Sequence, residues 1–373
     1  MTPGALSARA AISSGNGDFV IEQIEVRAPA TGEVRVRLLA AGLCHTDVAS
    51  LRWPGPLVLG HEGTGVVESV GAGVDGFAPD MPVLLNWAIP CGRCPQCLRG
   101  RGSLCERTLG LDPARLGYSR PGPDHTLWRR APIERSFNLG TFSDLTLVRA
   151  EALTRLPATI SPLRACILGC GVMTGVGSVF NIANVQPGES VAVVGCGGVG
   201  LSVVQGARLA GARLIVAIDQ REVALERATK LGATAVVRVD AADPEHNALK
   251  EKVLELTAGR GVDHAFEATA VAELAFLPLQ LVRNGGTAVQ VSGAHGPATV
   301  PLPWFMWDKR YLTPLYGGCH PDRDFPRLFA WVESGELDIE SMVSPRYSLE
   351  QLGAGLEDML SGRCIKPVLR IAA

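Results

Sequence analysis

Four cysteines in the first third of the chain have the spacing of a metal site. They lie in a stretch rich in glycine, proline and arginine, at Cys91, Cys94, Cys97 and Cys105. Such a stretch offers no apolar core that could bury thiols, so these spacings favour a closed, tetrahedral zinc site. The alternative is a set of exposed free thiols, which would be prone to oxidation. Because no coordination position would stay open, we expect this zinc to be structural, in a lobe over about residues 88–108.

The pattern of a dinucleotide-binding turn occurs at GCGGVG, between an apolar segment and an alanine-rich one. In such a turn Gly195 permits a tight bend, Gly197 lets the backbone approach a pyrophosphate, and Gly200 allows close helix packing. Free N–H groups at the start of the following helix would bind the phosphates. A strand before the turn, a helix after it and an acidic residue at the expected distance along the chain together predict a dinucleotide site.

Asp219, at the end of the next apolar segment, favours NAD over NADP. Its carboxylate is placed to bind a ribose 2′-hydroxyl. Arg221 could meet a 2′-phosphate in principle, but the retained carboxylate would repel that phosphate. We therefore expect NAD.

Hydrophobic periodicity predicts the elements that position these residues. Apolar and charged residues alternate from Val20 to Leu39, which predicts a half-buried antiparallel strand pair in a β-rich domain. A helix is expected over Ser161–Asn184. Beyond it, strands and helices alternate, which predicts a parallel, doubly wound sheet. Its strands are expected at Val191–Val194, Leu214–Ile218, Ala235–Arg238, Asp263–Glu267, Thr287–Ser292 and Tyr311–Tyr316, and helices between them at Glu222–Leu231 and Glu245–Thr257.

The length of 373 residues exceeds that of one ordinary core, so we expect an α/β chain of more than one domain. The β-rich domain should span 1–171 and the cofactor domain 172–316, with 317–373 returning to the first domain. This last segment is predicted to contain helices at Asp324–Ser334 and Leu349–Ser361 and a strand at Lys366–Ile371.

Charge and cysteine usage narrow the function. The balance of 35 basic and 37 acidic residues argues against a nucleic-acid binder or a polybasic membrane-surface protein, so small-molecule partners are expected. Ten cysteines in a chain of this size, without the apolar region of a secretion signal, predict metal ligands or free thiols. We expect a soluble, cytoplasmic protein.

The motifs in combination resemble those of zinc-dependent medium-chain alcohol dehydrogenases, over nearly the whole chain. They are GLCHTD, LGHEGTGVVESVG, C-x2-C-x2-C-x7-C, GCGVMTG and GCGGVG. The nearest branch is class III, the thiol-dependent formaldehyde dehydrogenases, because GLCHTD carries His45. The resemblance implies a GroES-like catalytic domain, a Rossmann cofactor domain, NAD, two zinc ions per chain, and a homodimer with a tetramer as the alternative.

The resemblance also implies roles for residues around a catalytic zinc. Its ligands would be Cys44, His61 and Cys170, which leave one position for a substrate oxygen. Glu62 resembles the carboxylate that can enter the metal shell, Asp47 the acid that fixes the histidine tautomer, and Thr46 the hydroxyl that accepts the substrate's proton.

Further positions are carried over in the same way. Cofactor contacts are implied for Gly195, Gly197, Gly198, Val199, Gly200, Asp219, Arg221, His45, Thr174 and Lys366. Pocket positions are implied for Trp87, Leu139 and Ala294. The indole of Trp87 would favour a planar or unbranched primary alcohol.

Three departures from the family pattern leave alternatives open. Ala49 stands where the proton path usually continues, the stretch between Cys44 and His61 is short, and an Arg/Pro-rich excursion covers Arg99–Arg135. That excursion is either a lid or anion-recognition surface, or a solvated loop.

We predict a dehydrogenase that interconverts a primary alcohol, including an aromatic or bulky one, and its aldehyde. Alternatives are a biosynthetic reductase of an activated C=C or C=N bond, a thiol-adduct formaldehyde dehydrogenase, and a non-catalytic zinc-ribbon interaction protein.

Overall fold

The computed structural model describes residues 4–109, 126–239, 243, 245–294 and 296–371. The chain divides into two compact units. The first consists of Met1–Cys170 together with His320–Ala373, and the second of Gly171–Cys319. The central part of the Arg/Pro-rich excursion lies outside the described residues, so its expected role as a lid, an anion-recognition surface or a solvated loop stays a prediction.

The strands are numbered in chain order. They are β1 Leu6–Ser13, β2 Val20–Val26, β3 Glu33–Gly42, β4 Leu57–Val58, β5 Gly63–Val70, β6 Pro82–Leu85, β7 Thr126–Trp128, β8 Ala131–Pro132, β9 Glu134–Arg135, β10 Leu145–Arg149, β11 Leu153–Arg155, β12 Ser190–Val194, β13 Leu214–Asp219, β14 Ala235–Arg238, β15 Val262–Glu267, β16 Val282–Gln290, β17 Arg310–Leu312, β18 Val343–Tyr347 and β19 Lys366–Arg370.

The α-helices are α1 His45–Ser50, α2 Pro95–Leu98, α3 Glu106–Leu109, α4 Pro162–Ala165, α5 Gly171–Gly177, α6 Gly198–Leu209, α7 Glu222–Leu231, α8 Asn247–Leu256, α9 Leu277–Leu281, α10 Pro321–Glu333 and α11 Leu352–Leu360. A π-helix covers Ser178–Ala183, and 3₁₀ turns include Ser136–Asn138, Cys166–Gly169 and Tyr316–Gly318.

The first unit is built on two sheets. One has the order β8-β7-β2-β1-β4-β9, and the other the order β11-β6-β5-β3-β19-β18 with β10 also on β3. Side chains of the first sheet and of β10 pack into a core of Ala8, Ala10, Ile12, Ile24, Val26, Val58, Ile133, Leu145 and Leu147. The C-terminal strand β19 pairs with the end of β3 and so belongs to the same sheet.

The predicted pairing of β2 with β3 is wrong, because each strand finds partners from elsewhere in the chain. β2 pairs with β1 and β7, whereas β3 pairs with β5, β10 and β19. As an inner strand, β3 is buried on both faces and not half-buried. Its charged Arg35 is accommodated because the guanidinium bonds Glu68 at 2.5 Å and the carbonyl of Gly4 at 2.9 Å.

The second unit contains a parallel sheet with the order β14-β13-β12-β15-β16-β17. The chain runs outward from β12 to β14, then starts again on the other side of β12 with β15. The strand order therefore reverses between β12 and β15, where α/β sheets bind ligands at their carboxyl ends. The predicted doubly wound strands are present, although β16 begins earlier than expected and β17 ends at Leu312, so Tyr316 lies in a 3₁₀ turn.

The single helix predicted over Ser161–Asn184 is wrong at its centre. The backbone leaves the helical region at Cys170, where φ is −146° and ψ is −80°, between a 3₁₀ turn and α5. Periodicity could not reveal this break, because the residues on both sides are apolar and buried. The break gives Cys170 a direction that differs from that of its helical neighbours.

Among the described residues, no single helix is long and apolar enough to cross a membrane. Only Pro162–Gly169 and Gly171–Ala183 reach that length and composition, when counted together as a bent pair.

A half-buried cluster of charged and polar side chains stabilises the amino end of the second unit's sheet. Asp263 at the start of β15 accepts hydrogen bonds from the amide of Ser190 at 2.7 Å, its hydroxyl at 2.6 Å and the guanidinium of Arg283 at 2.6 Å. Burial raises the pKa of Asp263, but these hydrogen bonds outweigh burial and lower the pKa to about 2. The ionised carboxylate therefore stabilises the folded unit.

We predict that Asp263→Asn lowers the free energy of unfolding by about 2 kcal/mol at pH 7, since one pKa unit corresponds to about 1.4 kcal/mol. A lowered folded-state pKa gives stability that is present above the unfolded value near 3.9 and lost as the pH falls toward 2. The difference between wild type and variant, measured by urea denaturation, should therefore shrink below pH 4. The exposed Asp308→Asn serves as the control and should change stability by less than about 0.5 kcal/mol. A difference that stays constant down to pH 3 would contradict this account.

Candidate functional site

Four predicted site residues meet at one point of the first unit. Potential ligand atoms of Cys44, His61, Glu62 and Cys170 all lie within 4.8 Å of one another. Cys44 follows β3 and caps α1, His61 and Glu62 precede β5, and Cys170 stands at the break before α5. Three separate segments therefore deliver their side chains to the same place.

Asp47 fixes the orientation of His61. One carboxylate oxygen of Asp47 lies 2.9 Å from Nδ1 of His61, and the other accepts the amide of Cys44 at 2.8 Å. All atoms of this arrangement are shielded, since Asp47 is 1% exposed and His61 0%. Nδ1 of His61 is hydrogen-bonded to Asp47. Its other ring nitrogen, Nε2, has no hydrogen-bond partner in the part of the chain that the structure describes. A buried, unpartnered imidazole nitrogen among thiols is the donor arrangement that a zinc ion requires.

Electrostatics act in opposite directions on the two thiols. The hydrogen bond from the Cys170 thiol lowers the pKa of Cys44 well below its usual range, with further contributions from His61 and Lys366. The same hydrogen bond, together with burial, raises the pKa of Cys170. Burial lowers the pKa of His61, but Asp47 and Cys44 outweigh burial and raise it to about 10. The lowered pKa of Cys44 favours its thiolate, the form that a divalent cation binds.

Glu62 forms a buried ion pair with Lys366. Nζ of Lys366 lies 2.6 Å from Glu62 Oε1 and 2.8 Å from the carbonyl oxygen of Leu43, and both side chains are at most 5% exposed. A Cβ at Gly42 would lie 2.2 Å from Glu62 Oε2, so glycine is required there. Burial raises the pKa of Glu62 to about 7, against the opposite effect of Lys366. The predicted contact of Lys366 with a pyrophosphate stays a prediction.

The remaining residues of α1 border the same site. Oγ1 of Thr46 lies 3.7 Å from Sγ of Cys44 and is half-buried. His45 is exposed at the first residue of the helix, and Ala49 is half-buried. Thr46 is therefore a hydroxyl directly beside the proposed metal ligands.

An aromatic cluster packs against the ring of His61. Phe137 stacks on this imidazole with ring centroids 4.5 Å apart. Trp87 and Trp53 contact Phe137 at centroid distances of 5.0 and 5.7 Å. Trp87 was predicted as a pocket residue. Leu139, which was predicted with it, is fully buried and lies two residues after Phe137 in the chain.

Phe137 and Trp53 were missed by the sequence reasoning. Phe137 lies in a 3₁₀ turn with φ of 53°, in the left-handed region that non-glycine residues rarely adopt. Neither residue belongs to a periodic segment or a metal motif. No signal in the sequence distinguishes them from ordinary core residues.

The four-cysteine cluster forms a second group of candidate metal ligands. The sulfur atoms of Cys91, Cys94, Cys97 and Cys105 lie within 4.8 Å of one another. The amide of Cys97 points to Sγ of Cys94 at 3.5 Å, and that of Cys91 to Sγ of Cys105 at 3.4 Å. N–H···S contacts of this kind stabilise thiolates. Four thiolates at these distances fit a structural zinc ion and leave no position for a substrate.

The glycine turn of the second unit follows β12. Gly195 has φ of 92° and bonds the carbonyl of Ile218, and Cys196 donates its amide to Asp219 Oδ2 at 2.9 Å. The other carboxylate oxygen of Asp219 accepts the amide of Arg221 at 3.0 Å and approaches its guanidinium at 3.4 Å. Asp219 thus ties the turn to the end of β13, and Arg221 is already paired with an acid.

Gly197 and Gly200 of the turn differ in what surrounds them. A Cβ at Gly200 would lie 1.8 Å from the carbonyl oxygen of Gly195, so the turn itself excludes a side chain. A Cβ at Gly197 would meet no atom within 4 Å, and its φ of −81° suits any residue. The open space beside Gly197, at the start of α6, is the place that a pyrophosphate would fill.

Three further predicted cofactor positions lie in the second unit. Gly198 and Val199 begin α6, and Thr174 lies in α5. Ala294, which was predicted as a pocket position, follows β16 and has a half-buried side chain. The contacts of these residues with cofactor and substrate stay predictions.

We predict that Gly197→Ala and Gly200→Ala separate binding from folding. Gly197→Ala should weaken NADH binding about tenfold, because its methyl group enters the phosphate space, and should leave the melting temperature unchanged. Gly200→Ala should lower both the NADH affinity and the melting temperature, because its methyl group clashes with the turn itself. NADH fluorescence titration and thermal denaturation measure the two effects. Normal NADH affinity in Gly197→Ala would show that the pyrophosphate lies elsewhere.

Comparisons with known proteins place these sites in a family. The profile described as Alcohol dehydrogenase GroES-like domain matches residues 30–158, and that described as Zinc-binding dehydrogenase matches residues 198–334. The predicted α/β class, with a GroES-like domain and a parallel-sheet cofactor domain, is confirmed.

Three relatives match almost end to end. Alcohol dehydrogenase B of Mycobacterium tuberculosis is 34% identical over 367 residues, which cover 95% of this chain and 96% of the relative. S-(hydroxymethyl)glutathione dehydrogenase of Escherichia coli is 32% identical, covering 98% and 100%. The crystal structure of benzyl alcohol dehydrogenase from Acinetobacter calcoaceticus has a TM-score of 0.89 at 27% identity, covering 98% and 100%. The chain therefore belongs to the zinc-dependent medium-chain alcohol dehydrogenases, near their class III branch.

Proposed function

We propose that this protein is a zinc- and NAD-dependent dehydrogenase that interconverts a primary aromatic alcohol and its aldehyde. The observation that carries the proposal is the convergence of Cys44, His61 and Cys170 in a chain that also has a dinucleotide turn. A non-catalytic zinc-ribbon protein would need only the four-cysteine cluster. It would have no use for a second donor set built around a buried histidine.

Zinc at this site would supply Lewis acidity, which favours loss of a proton from an alcohol and polarises an aldehyde. NAD would supply the hydride acceptor. The chain's own residues hold the donor atoms and move the proton. Asp47 keeps the proton of His61 on Nδ1, and Thr46 offers the hydroxyl that accepts the substrate's proton. Ala49 cannot continue the relay, so the proton leaves through water or another group.

The aromatic cluster beside His61 supports an aromatic substrate. Phe137 stacks on the imidazole, and Trp87 and Trp53 pack against Phe137, so flat apolar side chains are grouped on this side of the donor set. Planar rings pack well against such surfaces in offset or edge-on arrangements. The similarity to a benzyl alcohol dehydrogenase points in the same direction.

A thiol-adduct formaldehyde dehydrogenase is the second candidate. Its support is the 32% identity with S-(hydroxymethyl)glutathione dehydrogenase over 98% of this chain. The reductase alternative rests on Ala49 and on the departures from the family pattern around the substrate pocket. Incubation with NADH and conjugated aldehydes tests it, because only a reductase of C=C bonds yields saturated products.

We also propose a homodimer in the cytoplasm. β17 is the last strand of the parallel sheet among the described residues, and the segment before it exposes Leu302 at 80%, Met306 at 54% and Trp307 at 68%. An open strand edge beside exposed apolar side chains suits pairing with a second copy. None of the ten cysteines, all of which lie among the described residues, forms a disulfide, which suits a reducing compartment.

We predict that Thr46→Val lowers kcat for benzyl alcohol about a hundredfold, the scale of a lost proton-transfer group. Thr46→Ser retains the hydroxyl and should keep kcat within about threefold. The measurement is NADH absorbance with benzyl alcohol, ethanol and a hydroxymethyl thiol adduct. Highest kcat/KM for benzyl alcohol supports the proposal, and highest kcat/KM for the adduct supports the second candidate. No turnover with any of the three would refute both.

A further inference from the structure

Glu267 occupies the point at which the parallel sheet of the second unit reverses its strand order. It is the last residue of β15 and pairs with Val194, the last residue of β12. The glycine turn begins at the next residue, Gly195. Glu267 therefore lies at the carboxyl ends of the two strands between which such sheets bind dinucleotides.

The carboxylate of Glu267 is fully buried and binds two loops at once. Oε1 accepts the amide and the hydroxyl of Thr269, both at 2.5 Å, and the amide of Ala270 at 3.1 Å. Oε2 accepts the hydroxyl of Ser292. Thr269 and Ala270 follow β15, whereas Ser292 follows β16, so one side chain connects the loops after two neighbouring strands.

The same carboxylate holds a strained backbone in place. Ala270 has φ of 63°, in the left-handed region that alanine rarely adopts. Its amide is one of the donors to Glu267. Such a conformation persists only where surrounding interactions enforce it.

The loop after β15 also touches the glycine turn. A Cβ on Gly195 would lie 2.8 Å from Cγ2 of Thr269 and 3.0 Å from the carbonyl group of Ala268. The turn therefore has no room to move toward this loop. Through Thr269, the position of Glu267 affects the loop that is expected to contact the pyrophosphate.

We propose that Glu267 is a positioning residue for the dinucleotide: its carboxylate fixes the loops after β15 and β16, and the first of these loops packs against the glycine turn. This role rests on the proposed use of NAD. On the Oε1 side the backbone amides of Thr269 and Ala270 require an acceptor, whereas the Ser292 hydroxyl on the Oε2 side can accept as well as donate. Methionine has a similar length and offers these amides no strong acceptor, so Glu267→Met tests the role of the carboxylate.

Asp263 provides a matched control on the same strand. It is also a largely buried carboxylate that accepts several hydrogen bonds, but it lies at the amino end of β15. Loss of its charge should destabilise the unit without moving the cofactor loops. A purely structural role for Glu267 would make the two variants behave alike.

The test compares NADH affinity and thermal stability in the zinc-loaded enzyme without substrate. We expect Glu267→Met to bind NADH about tenfold more weakly at 20 °C, which corresponds to about 1.4 kcal/mol. Asp263→Asn should bind NADH within twofold of wild type, although both variants melt at lower temperature. Equal NADH affinity in Glu267→Met and wild type, or equal weakening in both variants, would overturn the proposal.

Two milder variants keep the test decisive if Glu267→Met does not fold. Ser292→Ala and Thr269→Val each remove one hydroxyl donor to Glu267, and each should weaken NADH binding severalfold. Wild-type affinity in both would overturn the role of Glu267. Because NADH binding requires no alcohol, an incorrect substrate class leaves this result unaffected. Failure of the wild-type enzyme to bind NADH would overturn both the role of Glu267 and the proposed function.

Discussion

The contact between Asp47 and His61 is the interaction on which the candidate metal centre depends. A buried carboxylate and a buried imidazole are costly to bring out of water, and each is stabilised here by the other. Asp47 holds the ring so that Nε2 faces the thiols of Cys44 and Cys170. The same carboxylate accepts the amide of Cys44 and so begins helix α1. One side chain thus positions two of the donors.

Buried carboxylates organise the second unit as well, at both ends of one strand. Asp263 fastens β15 to Ser190 and Arg283, and Glu267 fastens the loops at the other end. The glycine turn lies next to Glu267, and Asp219 connects that turn to the following strand. The chain therefore uses anionic side chains to order the loops around the proposed phosphate site, where the phosphates would meet glycine and backbone N–H groups.

Sequence reasoning succeeded where a short motif carries its own chemistry. The cysteine spacings, the glycine turn and the GLCHTD and GHE segments contain the residues that form the two donor clusters and the turn. It failed where contacts come from distant segments. β3 takes partners from three other parts of the chain, and the helix around Cys170 breaks so that its thiol can reach Cys44. Phe137 and Glu267 belong to no motif, and their importance follows only from what they touch.

The central claim is that Cys44, His61 and Cys170 hold a zinc ion on which alcohol oxidation depends. The most direct measurement is the zinc content of the purified protein together with benzyl alcohol turnover, compared between Cys170→Ala and Cys166→Ala. Cys166 is a buried cysteine four residues earlier that lies outside both donor clusters. The account predicts two zinc ions and normal turnover in Cys166→Ala, but one zinc ion and no measurable turnover in Cys170→Ala. Two zinc ions or undiminished turnover in Cys170→Ala would contradict it.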